Sequence, residues 1–320
     1  MGNAWGFAIA ATVVACVIWL VAMPRGTRGR AWHFALAPVP PAALLLHASL
    51  PPGPAQEILA SWLVAGAAGW AVLLVTWIAG TAIRNHGMMD VAYPIAPMVI
   101  AWTAAMRAEH PLSFVAWAAL AMVTLWGVRL SLQTLRDNYP HEREPYAAWR
   151  ARGGRQWIWW SLFQVYCLQG VVLWIWSLPL VLAVDAPMNE ATLGFGVAVW
   201  LVGFTLQTVA DAQLAVFRKN PANRGQILRT GAWAIVRQPN YLGESLMWWA
   251  YALCALAHPY GLIGLLGPIF QTWFMGFGSA GPDKESHMRR TRGEAWNDYC
   301  ARTPRFFPWP RSRRADPQRD

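Results

Sequence analysis

The sequence predicts an all-α fold, a polytopic transmembrane helical bundle of about seven to nine spans. Three observations carry that prediction. The 320 residues are 56% hydrophobic and only 13% charged, whereas a soluble domain carries roughly 25% charged residues. The apolar residues gather into runs near the spanning length of about 20. The basic residues, in a chain of net charge +10, fall between these runs. That distribution fits a positive-inside signal better than a nucleic-acid footprint.

In chain order the apolar runs cover residues 5–23, 31–50, 58–83, 91–106, 111–133, 157–184, 191–217, 241–257 and 260–278. The second contains Pro38, Pro40 and Pro41, which would break a helix interior. It is expected to cross, with a re-entrant hairpin as the alternative. If all nine cross, the even connections are 51–57, 107–110, 185–190 and 258–259. They hold one of the 26 Lys and Arg residues (Arg107) but four of the 16 acids (Glu57, Glu109, Asp185 and Glu190). This imbalance places the C-terminus in the cytoplasm. The opening MGNAW has no basic n-region, so the first run reads as an uncleaved span with its start outside. A hairpin at the second run would strand only Arg25, Arg28 and Arg30 outside. The four cysteines form no C-x-x-C pair, so neither a disulfide framework nor a metal site is expected.

The sizeable polar regions are 136–156, 218–240 and 282–320, and a soluble ligand is expected there. The densest stretch is ADAQLAVFRKNPANRGQILRTGAWAIVRQPNYLGE. Asp211 and Arg218 lie seven apart, on one helix face. Asp211 sits about two turns inside an apolar run, which is costly unless it is paired. Arg218, Lys219, Arg224, Arg229 and Arg237 follow within twenty residues, and arginine forks match phosphates. The bland alternative is ordinary positive-inside charge. Pro239 suits the first turn of a helix, which places Asn240, Tyr241 and Glu244 near its start. Asn240 and Glu244 share a face, and Gly243 admits a close backbone approach.

A second candidate is RNHGMMDVAYP, where Asp90 and Tyr93 share a face at the start of a span. Asp90 is either a protonated hydrogen-bond donor in a low-dielectric cavity or a helix cap. In LWGVRLSLQTLRDN, Arg136 reads as an interfacial anchor and Arg129 lies deeper. Gly276-Phe-Gly-Ser-Ala-Gly281 matches a dinucleotide fingerprint but closes an apolar span, so that reading is rejected.

RNHGMMDVAYP, LWGVRL, ADAQLAVFRKNPANRG, TGAWAIVRQPNYLGE, DKESHMRRTRGEAWNDY and RTPRFFPWP, in that order, resemble the bacterial branch of the steroid 5-alpha-reductase-like membrane family. The resemblance divides the chain into N-terminal transmembrane helices (1–82), a reductase domain (83–310) and a basic tail (311–320). It implies NADPH as hydride donor and reduction of a carbon–carbon double bond conjugated to a carbonyl, in a steroid-like, isoprenoid or fatty enoyl substrate. Carried over position by position, it places Asp211, Arg218, Arg237, Asn240 and Glu244 on the cofactor, with Glu285 and His287 near its nucleotide-contacting positions; the cation cluster and the helix start add Arg224 and Tyr241. Asp90 and Tyr93 would then hold the substrate carbonyl. Gln238 stands where the family has His and Tyr93 where it has Trp; the EREP at 142–145 is also unusual.

The expected molecule is therefore an oxidoreductase of CH–CH groups in a bacterial inner membrane. It takes a lipophilic substrate from the bilayer and needs no nucleic acid and no obligate protein partner. The alternative is an S-adenosylmethionine-dependent membrane methyltransferase of the isoprenylcysteine or phospholipid type, which shares a related helix entry. A non-catalytic lipid-binding protein is a third reading.

The charge argument predicts that a reporter fused after Asp320 is cytoplasmic and that a tag in the 185–190 loop is reached only from outside. A protected tag in that loop would overturn the orientation.

Overall fold

The computed structural model describes residues 36–309 and scattered positions between 7 and 21. The first expected span (5–23), Arg25, Arg28, Arg30 and the tail from 310 onward lie wholly or largely outside the described residues. The helices are α1 (Val39–Ser49), α2 (Pro54–Ala82), α3 (Met88–Met106), α4 (Phe114–Asn138), α5 (Tyr146–Trp176) and α6 (Leu178–Val184), then α7 (Glu190–Lys219), α8 (Ala232–Ile235), α9 (Pro239–Ala255), α10 (Gly261–Arg292) and α11 (Glu294–Arg302). Among the described residues there is no strand. Six of these helices, α2, α3, α4, α5, α7 and α10, are long and apolar enough to cross a membrane.

Two runs differ in detail from the expectation. The described part of the second run, from residue 36, holds one helix, α1, of 11 residues, about 16 Å of rise and too short by itself for a hydrocarbon core of about 30 Å. Pro40 and Pro41 fall in its first turn, where their missing N–H groups cost nothing. The run expected at 157–184 instead begins at Tyr146 and ends at Trp176, with a π-helical turn at Leu162–Cys167. The chain restarts as α6, with Pro179 in its first turn. The expected helix start at Pro239 is where α9 begins. At 17 residues, α9 reaches the lower limit of roughly 17 for a span.

The chain forms two compact units, Met1–Leu193 with Cys254–Gly267, and Gly194–Leu253 with Pro268–Asp320. In the first, α2 and α5 are joined by a reciprocal tryptophan pair. Trp62 and Trp174 stack at 4.0 Å, and each indole N–H donates to the other residue's carbonyl, at 3.1 and 2.8 Å. The connections are also tied. Asp185 accepts from His258 Nε2 at 3.1 Å and from His110 Nε2 at 2.9 Å. The His258 and His110 bonds hold its carboxyl below the usual range against the opposing pull of burial. Leu74, Val75, Ile78, Trp117 and Leu125 stand outward, exposed. Hydrocarbon accounts for such faces better than water does.

In the second unit, α7 and α9 meet backbone to backbone. A Cβ added at Gly203 would lie 2.5 Å from the Gly243 carbonyl oxygen, and one at Gly243 would lie 2.6 Å from that of Gly203. Small residues at a crossing let apolar helices approach closely, so Gly243 admits another helix rather than a ligand. The same approach brings Gln207 against Glu244 and Asp211 against Asn240. Trp233 completes the packing by donating its indole N–H to the Ala210 carbonyl at 3.1 Å.

Gly243→Ala should therefore destabilise the protein by about 1–3 kcal/mol, the usual cost of overpacking, read as a lower melting temperature in detergent. Wild-type melting would mean that α7 and α9 do not pack through this contact.

Candidate functional site

Each unit carries a concentration of polar groups that includes expected site residues. In the first it surrounds Asp90, in the first turn of α3. The turn before α3 is held by side chains of the α4 end. Asn85 Oδ1 accepts the Gly87 N–H at 3.0 Å and its Nδ2 donates to the Asn138 carbonyl at 2.7 Å. Asn138 Nδ2 donates to the Gly87 carbonyl at 2.9 Å and to Asp90 Oδ2 at 3.0 Å. Asp90 Oδ1 accepts the Tyr146 hydroxyl at 2.7 Å. Gly87 is the N-cap residue, and no side chain caps the helix. The carboxylate therefore serves side chains rather than the helix start, and the capping alternative for Asp90 falls.

A second layer supports Tyr146. One turn further along α5, Arg150 forks onto Glu142 at 2.7 and 2.9 Å. Glu142 also accepts the His86 backbone N–H at 2.6 Å. These bonds hold the Glu142 carboxyl below its ordinary value, although burial alone would raise it. Burial, reinforced by Arg150, pulls His86 down to about 4, so its ring is neutral at pH 7. Its Nδ1 pairs with the Tyr166 hydroxyl at 3.1 Å. Tyr93 is placed differently from Asp90: its ring packs edge-on to Trp126 and Trp176, each at 6.2 Å.

In the second unit, the polar residues border a pocket of about 480 Å³. Arg218, Lys219, Arg224, Arg237, Lys284 and Arg292 line it, and no carboxylate does among the described residues. Trp233, Trp296 and Tyr299 add aromatic surface. Asn240 reaches the wall, while Asp211 lies behind it, accepting from Asn240 Nδ2 at 3.3 Å. Glu244 is buried and accepts from Gln207 Nε2 at 3.0 Å. The Tyr241 ring lies 5.9 Å from Lys284 Nζ. Gln238 donates to the Gly281 carbonyl at 3.2 Å.

Arg237 and Glu285, both expected to contact a cofactor, are bound to each other. Glu285 Oε1 accepts from Arg237 Nε at 2.9 Å and Nη2 at 2.8 Å. Its Oε2 accepts from Arg305 Nε at 3.0 Å and Nη2 at 2.8 Å. Arg237 Nη1 donates to the Cys300 and Thr303 carbonyls, at 3.2 Å each. His287 is exposed and does not line the pocket. The structure thus brings Arg218, Arg224, Arg237 and Asn240 to one wall, with Asp211, Tyr241, Glu244 and Glu285 outside the lining.

Several site residues escaped the sequence reading. Tyr146 and Asn138 lie 56 and 48 residues from Asp90, and no local pattern links them. Lys284 and Arg292 did leave a signal, because with Met288 they repeat every four residues along α10. A wall with several cations suits a ligand bearing more than one phosphate.

A family model described as "Protein of unknown function (DUF1295)" matches residues 76–303. The Delta(14)-sterol reductase TM7SF2 of Mus musculus is 30% identical over 124 residues, 34% of this chain and 28% of that protein. The Delta(14)-sterol reductase LBR of Gallus gallus is 30% identical over 118 residues, 32% of this chain and 18% of that protein. The chain thus spans less than a third of either relative's length.

The buried Glu285 joins two arginine forks, so removing it leaves uncompensated cations. Glu285→Ala should cost about 3–5 kcal/mol, measured as a fall in melting temperature with no nucleotide present. An unchanged melting temperature would show that the cluster contributes nothing to the fold.

Proposed function

This chain belongs to the DUF1295 family, which is the steroid 5-alpha-reductase-like family, and on that premise we propose that it is a membrane reductase. In this reading it uses NADPH to reduce a carbon–carbon double bond conjugated to a carbonyl in a lipophilic substrate drawn from the bilayer. The carrying observation is the pocket whose wall, among the described residues, has six cations and no carboxylate. The fit to NADPH is chemical. Arg218, Arg224 and Lys284 supply charge-assisted donors for phosphate oxygens, Asn240 offers an amide, and the tryptophans offer faces for a planar base. S-adenosylmethionine carries a sulfonium and no phosphate, so the same wall would repel it.

When bound, NADPH supplies the hydride; the protein supplies orientation and electrostatics. The chain's own contribution to the chemistry centres on Asp90 and Tyr146. Asn138 can only donate to Oδ2, so a proton on Asp90 sits on Oδ1 and faces the Tyr146 oxygen. Asp90 then donates to that oxygen, and the phenol hydrogen turns outward to a substrate carbonyl. This arrangement stabilises the negative charge that develops on the carbonyl oxygen. The Glu142–Arg150 pair keeps Tyr146 in register. Tyr93 contributes an aromatic wall beside Trp126 and Trp176.

One experiment tests both halves. Detergent-purified protein should be stabilised by NADPH and not by S-adenosylmethionine; the reverse result establishes the methyltransferase alternative. Tyr146→Phe and Asp90→Ala should lower reduction of an enone sterol by on the order of 10²–10³ while NADPH still stabilises both variants. Asp90→Asn keeps a donor of similar shape and should keep part of the activity. Near-normal turnover by Asp90→Ala would remove Asp90 from the mechanism.

A further inference from the structure

We infer that His110, Asp185 and His258 form a proton-sensitive clasp, one that fastens three connections of the first unit most firmly in mildly acidic surroundings. The connections are 107–113 between α3 and α4, 185–189 between α6 and α7, and 256–260 between α9 and α10. The positive-inside pattern expects all three on the outer face, away from the basic gaps. None of the three residues belongs to the proposed reductase site, so the clasp stands or falls without it.

Asp185 divides its oxygens between the two rings. Oδ1 accepts from His110 Nε2 at 2.9 Å and Oδ2 from His258 Nε2 at 3.1 Å. The other nitrogen of each ring decides its charge. His258 Nδ1 accepts the Tyr260 backbone N–H at 3.0 Å, so it carries no proton, and the ring is the neutral tautomer with its hydrogen on Nε2. The turn that presents this N–H is tight: Gly261 N–H donates to the His258 carbonyl at 2.8 Å, and a Cβ at Gly261 would lie 2.1 Å from the Ala255 carbonyl oxygen. His110 Nδ1 instead faces the Pro111 carbonyl at 3.3 Å. A carbonyl and a carboxylate both only accept, so both nitrogens of His110 donate and the ring is a cation. Burial follows the same division, since the His258 side chain is 5% exposed and that of His110 50%.

His258 is therefore the fixed jaw and His110 the movable one. Ser113 also donates its hydroxyl to the Ala186 carbonyl at 2.7 Å, so one tie between the first two connections is indifferent to protons and the other depends on His110. The Pro111 carbonyl and the Asp185 carboxylate raise His110 above its ordinary 6.5. Its contribution is fully present below 6.5 and is lost as pH rises through the raised value. The bonds from His258 and His110 hold Asp185 below 3.8, so its contribution is present above 3.8 and is lost as pH falls through the depressed value. The clasp is complete between those limits. The other charged groups of these connections and the helix ends beside them are Arg107, Glu109, Glu190 and Glu57. Among the described residues none of them is bonded to either ring. The adjoining turns of α3, α4, α5, α6, α9 and α10 carry no charged side chain, and Tyr260 adds a ring tilted 5.7 Å from His258.

The test uses the full chain in detergent, without nucleotide, from about pH 5.5 to about pH 9. Hydrogen exchange of the 107–113 segment, read by mass spectrometry, is compared between wild type and His110→Gln at each pH, so that the intrinsic pH dependence of exchange cancels. At about pH 6 the wild type should exchange up to about fivefold more slowly, the range of a half-exposed ion pair. At about pH 9, with the His110 charge gone, the two should exchange alike. Melting temperature supplies the second reading. His110→Gln should lower it at the acidic end alone, whereas His258→Gln, which removes the fixed jaw, should lower it at every pH. A His110→Gln protein that differs from wild type equally at all pH values, or at none, overturns the clasp. A His258→Gln loss confined to acidic pH also overturns it, because His258 would then be the ring that carries the charge. Should His258→Gln fail to fold, the His110→Gln comparison, made at a half-exposed position, decides alone.

Discussion

A polar side chain carried into an apolar helix must find its partner within the protein, because hydrocarbon offers none. The arrangement around α7 and α9 follows from that constraint. Asp211 and Glu244, too deep for water, face Asn240 and Gln207 from the opposite helix. Those pairs form only if the two backbones nearly touch, and glycines at 203 and 243 permit that. The residues that look most like ligand contacts therefore first satisfy one another, and the pocket is walled by what remains.

The same requirement sorts the arginines. Arg237 is buried and fully engaged, holding Glu285 and the carbonyls of Cys300 and Thr303, so it organises the end of α11 and the chain beyond it. Arg218, Arg224 and Arg292 border the cavity. Arg237 is thus scaffold and wall at once, bordering the cavity while its guanidinium holds Glu285. The scaffold also explains why no carboxylate among the described residues lines the pocket: Asp211 and Glu285, both close to the wall in sequence, are turned toward side-chain partners.

Around Asp90 the constraint takes a different form. One carboxylate receives a tyrosine and an asparagine from two later helices, and a second carboxylate, Glu142, binds the turn ahead of it to α5. The EREP stretch at 142–145 supplies that second carboxylate. Its role was invisible beforehand because it depends on which backbone N–H, 56 residues earlier, comes to face it. Tyr93 shares a helix with Asp90 at helical spacing, yet it faces Trp126 and Trp176, since sharing a face does not mean sharing a partner.

What the sequence determined by itself was the class of structure: apolar runs of spanning length, basic gaps, a helix opening at Pro239 and a polar stretch around 211–244. These are local properties, set by hydrophobic period, proline and charge over tens of residues. The short α1 was half legible, since its prolines announced a helix start but not that only 11 residues would follow. Only the tertiary structure decided that Gly243 meets Gly203, that Arg237 belongs to Glu285 and that Tyr146 belongs to Asp90. Each of these joins positions 40 or more residues apart. The choice of partner there rests on helix packing, for which spacing along the chain carries no record.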